Sequence, residues 1–126
     1  MKPIEKQLDE LWSRCIKLNK NCSKCGKTGH DPHHIFGRRK CSTRWDIENG
    51  ILLCRTCHNY AHANPKAFMT WIDDRSDLSK LRIKANTPAK IDHEEKKKEL
   101  IGYIKKQASE YVMKNMKDLF IRLSDR

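Results

Sequence analysis

CRTCHNYAH, residues 54–62, sets two metal-ligand patterns end to end. Cys54 and Cys57 form a C-x-x-C, and His58 and His62 follow at once as an H-x-x-x-H. The segment stops before Pro65 and reads as one short helix. Residues four apart on a helix share a face, so His58 and His62 converge on one partner. Cys57 is turned by about 100° from His58 and points elsewhere. The stretch is therefore the seam between two sites, and each needs ligands from another part of the chain.

Cys22 and Cys25 form a second C-x-x-C, and 28 residues separate the two pairs. Two such knuckles supply four thiolates, the tetrahedral set suited to structural zinc. The N-terminal MKPIEKQLDELW lacks the apolar stretch of a signal peptide, so a cytosolic, reducing setting is expected, where cysteines serve metals rather than disulfides. Cys15, on an apolar helix stripe, reads as a core residue. Cys41, among Arg38, Arg39, Lys40 and Arg44, reads as an incidental free thiol. For the histidine pair, HDPHHI (30–35) offers His30, His33 and His34. A strand carrying His33 against the helix of His58 and His62 would give three imidazoles and an open position, the arrangement of a catalytic metal. His30 is expected in a loop or as an outer partner.

Outward from this centre, Ile4, Leu8, Leu11, Trp12, Cys15 and Ile16 recur at helical spacing over 4–18. From 21 to 44 the periodicity is lost. HHIF (33–36) and GILL (50–53) read as short strands. PKAFMTWI (65–72) and SDLSKLRIKA (76–85) read as short helices, the second capped by Ser76, and ANTPAK (85–90) as a linker. Trp45 and Trp71 are expected in the core. Asp92 would cap a long helix to about Leu123, with Ile101, Ile104, Ala108, Val112, Met116, Leu119 and Leu123 as its stripe. Unbroken, that helix would span roughly 45–50 Å, longer than a domain of this size is wide. The expectation is a break near Gly102 or Ser109 and a return onto the core. The alternative is an arm that pairs with a second copy.

Lys and Arg number 27 against 16 Asp and Glu, a formal charge of +11. Such a balance favours an anionic partner, and no apolar run is long enough for a membrane span. Residues 14–44 hold nine basic side chains opposed only by Asp31, a local excess of +8. Residues 91–126 hold nine basic and seven acidic side chains, a net of +2. The anion-binding surface therefore belongs beside the proposed metal, where it would attract phosphates without reading bases.

DPHHIFGRR (31–39), followed by DIENGILLCRTCHNYAH (46–62), resembles the HNH endonucleases. The likeness spans residues 22–62, includes the four-cysteine zinc site of many members, and is similar to nucleases encoded by bacterial viruses. It implies a small α+β fold: a ββα-metal nuclease core with a zinc knuckle, two strands and a helix around one divalent cation. An N-terminal helix (1–20) would precede the core (21–64). A helical C-terminal region (65–126) would pack on the core or dimerise.

Carried over by position, His34 is the first H, Asn49 the N and His62 the last H, with His33 and His58 completing the metal shell. His34 would be the general base. Asn49 would tie the turn between the strands to the segment carrying His34; its other reading is the Asn of an Asn-Gly turn. Many members carry Asp where this chain has His33, as the DNase colicins also have. Three imidazoles leave manganese, nickel, zinc or magnesium open as the ion. Arg38 is the first choice for a phosphate contact, with Arg39, Lys40 and Arg44 beside it.

The implied function is a metal-dependent DNA endonuclease or nickase acting in the cytoplasm of a bacterial host. The rival is a zinc-stabilised DNA-binding or assembly subunit, within a larger phage complex, whose nuclease site is silent or partner-dependent.

Overall fold

Helix α1 (Pro3–Lys17) starts at a proline placed where the missing N–H costs nothing, and it buries Leu8, Trp12, Cys15 and Ile16 along one stripe. The computed structural model describes residues 1–124, though not the side chains of residues 119, 120 and 122–124. After α1 come β1 (Asp31–His34), a 3₁₀ turn (Ile47–Asn49), β2 (Gly50–Leu53) and α2 (Arg55–Ala63). Helices α3 (Pro65–Asp73), α4 (Ser79–Ala85) and α5 (His93–Ser124) complete this small α+β fold.

The strands are antiparallel, pairing Asp31 with Leu53, Pro32 with Leu52, His33 with Ile51 and His34 with Gly50. Alternation across this ribbon positions the rest. Leu52 faces α1, with Trp45 and Leu100 in the same cluster. Leu53 faces the other way, into a cluster with Ile35, Ala61, Phe68 and Ile72. β2 is the expected GILL, but β1 lies two residues earlier than HHIF. Beyond His34 the ladder is replaced: Ile35 N donates to the Asn49 carbonyl and Phe36 N to the Asn49 side chain.

Other expectations divide. Cys15 and Trp45 are buried and Cys41 is exposed, while Trp71 is only half-buried. Ser76 does not cap α4, whose N-cap is Leu78; Asp77, just before it, accepts from Ser79 N at 3.0 Å and Ser79 Oγ at 2.6 Å. Asp92 does cap α5, accepting from Glu95 N at 3.1 Å.

The expected break near Gly102 or Ser109 is absent, because α5 runs unbroken for 32 residues. Leu100 is fully buried, and Tyr103 and Ile104 pack on the α1 cluster, so the first half is anchored. A lone helical glycine costs about 1 kcal/mol relative to alanine, too little to end a helix with good formers on both sides. Further along, Tyr111, Val112, Met113 and Met116 are exposed. Leu119 and Leu123 of the expected stripe lie outside the described side chains. The accessible surface, 9147 Å², exceeds the roughly 7,000 Å² of a compact chain of this mass, as a projecting helix requires. Among the described residues, no helix is long and apolar enough to cross a membrane.

Candidate active site and metal centres

Cys22, Cys25, Cys54 and Cys57 come together, their sulfurs all within 4.8 Å of one another. The first pair sits in a tight hairpin closed by the Asn21–Thr28 bridge, where Gly26 takes the left-handed φ of +79° that side-chain-bearing residues avoid. The second pair opens α2: Cys54 is its N-cap, and its sulfur accepts from Cys57 N. Cys25 Sγ and Cys54 Sγ are 3.7 Å apart. Two thiolates on one tetrahedral zinc, each about 2.3 Å from the ion, would stand about 3.8 Å apart. Burial works against the Cys22 thiolate, but backbone N–H groups of Cys25, Cys54 and Lys24 outweigh it and bring its pKa to about 6. Cys57, desolvated and crowded by the other sulfurs, is pushed up to about 12. A dication would relieve that crowding, so the donor set fits structural zinc.

One turn along α2, His58 and His62 form a second group with His33, their nitrogens also within 4.8 Å of one another. The Asp31 carboxylate accepts from His58 Nδ1 at 3.1 Å and from Arg55 Nε at 2.8 Å. Hydrogen bonding from Arg55, above all, holds the Asp31 carboxyl below its usual range. An ionised carboxylate only accepts, so His58 Nδ1 carries a proton and Nε2 is the nitrogen left to face an ion. That Nε2 lies 3.0 Å from His62 Nε2, close to the roughly 3.0–3.4 Å between two nitrogens on one ion at 2.0–2.1 Å. His33 meets both rings edge-on, at 5.3 and 5.5 Å between centroids, and packs against Phe68. Burial first, then charge on His58, His62 and His34, lowers the His33 pKa to about 4. His33 is thus neutral, the form that binds a metal. His30 is exposed and lies outside the group, its backbone N–H bonded to Leu53 O.

Adjacent residues on a strand point to opposite faces, so His34 turns from α2 toward α1. Its ring lies flat on Trp12, with centroids 3.8 Å apart and planes within 8°. Its Nε2 is 2.9 Å from the Arg44 carbonyl oxygen. A carbonyl only accepts, so Nε2 bears the proton and Nδ1 is the basic nitrogen. Burial lowers the His34 pKa despite the opposing pull of that hydrogen bond. Asn49 is completely buried. It accepts from Phe36 N at 2.8 Å and donates to Phe36 O at 2.9 Å and Thr43 O at 3.0 Å. It therefore ties the residues just after His34 to the segment whose carbonyl holds His34. It does not sit in an Asn-Gly hairpin turn: Gly50 is extended (φ −124°), and a fifteen-residue connection, 35–49, joins the strands.

His33, His34, His58 and His62 line one open cleft of about 580 Å³, together with Arg38, Arg39 and Lys40. Past Arg39 and Lys40 a second hollow runs along linker residues 86–89. Arg44 does not join them. Its guanidinium is turned inward onto Asp9, at 2.7 Å, and Glu5, at 3.7 Å. Asp9 and Trp12 carried no functional signal in the sequence. Trp12 looked like any stripe residue, and the partners of Asp9 lie about 30 residues away.

A two-stranded ribbon and a helix close on three convergent imidazoles, the ββα-metal arrangement that the resemblance implies. The HNH endonuclease family model matches residues 22–64, the stretch that holds both ligand groups, and this segment is an HNH endonuclease domain. Neither the curated proteins nor the solved structures yield a match to the chain. The match implies metal-dependent nuclease chemistry, and nucleases of this family act on DNA. Helix α1 and everything after Asn64 lie outside the matched stretch.

Proposed function

We propose that this chain is a metal-dependent DNA endonuclease that hydrolyses phosphodiester bonds, with His34 as general base and one divalent cation on His33, His58 and His62. The observation that carries the reading is the opening of neutral His34 and the three-imidazole group into the same cationic cleft. His34 takes the proton of the attacking water on Nδ1, while Nε2 stays bonded to the Arg44 carbonyl. Arg38, Arg39 and Lys40 draw the phosphates of the backbone into the cleft. Asp31 fixes the tautomer and direction of His58, and Asn49 fixes the loop that holds His34. A bound cation would supply Lewis-acid charge at the phosphate and the leaving 3′ oxygen. Mn²⁺, Mg²⁺, Ni²⁺ and Zn²⁺ are the candidates, with zinc in the four-thiolate site.

One base and one cation per chain nick a single strand. Cutting both strands takes two chains, and the exposed second half of α5 is where a second copy would be joined. The site of action is the cytoplasm of a bacterial host.

The rival is a zinc-stabilised DNA-binding or assembly subunit with a silent or partner-dependent site, such as one within a larger phage complex. It has no need of an oriented neutral base. Supercoiled plasmid incubated with each metal, with and without chelator, separates the two. Metal-dependent conversion to nicked circles supports the enzyme; retention of DNA without a cut under every metal supports the rival.

A further inference from the structure

We propose that helix α1, outside the matched nuclease segment, is a working part of the cleavage site, with Trp12 and Asp9 as positioning residues for the His34 imidazole. The inference rests on the reading of His34 as the base.

One hydrogen bond to the Arg44 carbonyl fixes a single point on the His34 ring and leaves its plane free to swing. The indole of Trp12 removes that freedom, lying parallel to the ring at 3.8 Å. Trp12 is itself pinned. It is 3% exposed, and its Nε1 donates to the Asp46 carbonyl at 2.8 Å. The residue paired with His34 across the ribbon is Gly50. A Cβ at Gly50 would stand 2.6 Å from Trp12 Cζ2 and closer still to Ile16. The glycine opposite the base thus makes room for the indole that lies against the base.

The other end of the imidazole is fixed through Asp9. Its carboxylate accepts from Arg44 Nε at 3.0 Å, Arg44 Nη2 at 2.7 Å and Trp45 Nε1 at 2.8 Å. Two consecutive residues are clamped, and the carbonyl between their side chains is the one that accepts from His34. A second guanidinium, that of Arg38, reaches the same carboxylate at 3.0 Å from the rim of the cleft. Partial burial opposes ionisation of Asp9, but the bonds from Arg44 and Trp45 outweigh it and hold the carboxyl below its usual range. Helix α1 therefore sets the plane of the base through Trp12 and its acceptor through Asp9.

The test is a double-mutant cycle between Trp12→Leu and His34→Ala, with Trp12→Phe and Asp9→Asn alongside. It is read as kcat and KM for nicking of a plasmid at saturating Mn²⁺, with Mn²⁺ affinity by calorimetry and a thermal melt for each variant. Misplacing a base by an ångström costs on the order of 10²-fold. That loss is expected in kcat for Trp12→Leu, with KM and Mn²⁺ affinity held within about twofold. Trp12→Phe, which keeps a flat face, should recover to within about tenfold of wild type. In the His34→Ala background Trp12→Leu should cost nothing further, since its effect passes through the imidazole. A folded Trp12→Leu with wild-type kcat, or an equal loss with and without His34, overturns the proposal. If Trp12→Leu does not fold, Asp9→Asn carries the cycle with His34→Ala under the same criteria. Undiminished cleavage by His34→Ala alone removes the base, and the proposal falls with it. Loss on His34→Ala without loss in the α1 variants sinks the proposal and leaves the base standing.

Discussion

Asn49 and Phe36 are joined by two hydrogen bonds, side-chain oxygen to Phe36 N at 2.8 Å and side-chain nitrogen to Phe36 O at 2.9 Å. No backbone ladder reaches this point, so a buried carboxamide completes the sheet just past His34. Asn49→Ala strands three backbone groups, the buried Thr43 carbonyl and the part-buried N–H and carbonyl of Phe36. Each unsatisfied group costs about 1–3 kcal/mol, and a total loss of about 2–4 kcal/mol is expected in a denaturant titration, with DNA cleavage falling even where the variant is folded. Asn49→Asp should fare no better, because a carboxylate would face the Phe36 and Thr43 carbonyls. A variant as stable as wild type would contradict the assignment.

The metal-free protein should lose stability in mild acid. The folded pKa of His33 is about 4, against an ordinary value near 6.5. Between those values the unfolded chain binds more protons than the folded one, so stability rises with pH through the window and falls as pH drops through it. Thermal melts of chelated protein from pH 7 to pH 4 should show the decline, and His33→Asn should flatten it. A melting temperature indifferent to pH above 4.5 would refute the burial of a neutral His33.

Two ions of unequal lability are expected per chain. Four thiolates hold zinc tightly, and the local fold depends on it, whereas three imidazoles at an open cleft release their ion first. Mild chelation should remove activity before zinc, and His62→Ala should weaken only the second site. A single zinc per chain, unaffected by His62→Ala under any metal loading, would show the three-imidazole site to be wrong.

Both ligand groups were legible because C-x-x-C and H-x-x-x-H are local patterns whose spacing already implies a shared face. His33 was legible as a third ligand once a strand was assumed, whereas the separate role of His34 came only from the resemblance. What escaped the sequence depends on long-range partners. Arg44 resembles its basic neighbours until Asp9 of α1 turns it inward. Trp12 is one of several stripe residues until the absent side chain of Gly50 lets it reach His34. The length of α5 escaped the sequence as well: compactness favours a return onto the core, yet the α1 cluster anchors only the first half of the helix, around Leu100.

The exposed Tyr111, Val112, Met113 and Met116 of α5 give the arm its own prediction. Light scattering at micromolar concentration should return twice the 14.9 kDa of one chain, and Val112→Asp should return the monomer. A monomer at every concentration would mean that α5 does not join two copies.

Cleavage should rise with pH and level off once His34 is neutral. Burial lowers the His34 pKa, so the rising limb should lie below the ordinary histidine value near 6.5. A limb centred well above that value would point to another group as the base.

The most direct measurement is single-turnover nicking of supercoiled plasmid by wild type and His34→Ala at saturating Mn²⁺, with zinc content and DNA retention measured on the same samples. Loss of a general base costs about 10²–10⁴-fold. The expected result is a loss of that size in His34→Ala, with zinc, fold and DNA retention unchanged, and abolition of wild-type cleavage by chelator. Near-normal turnover in folded His34→Ala would contradict the account.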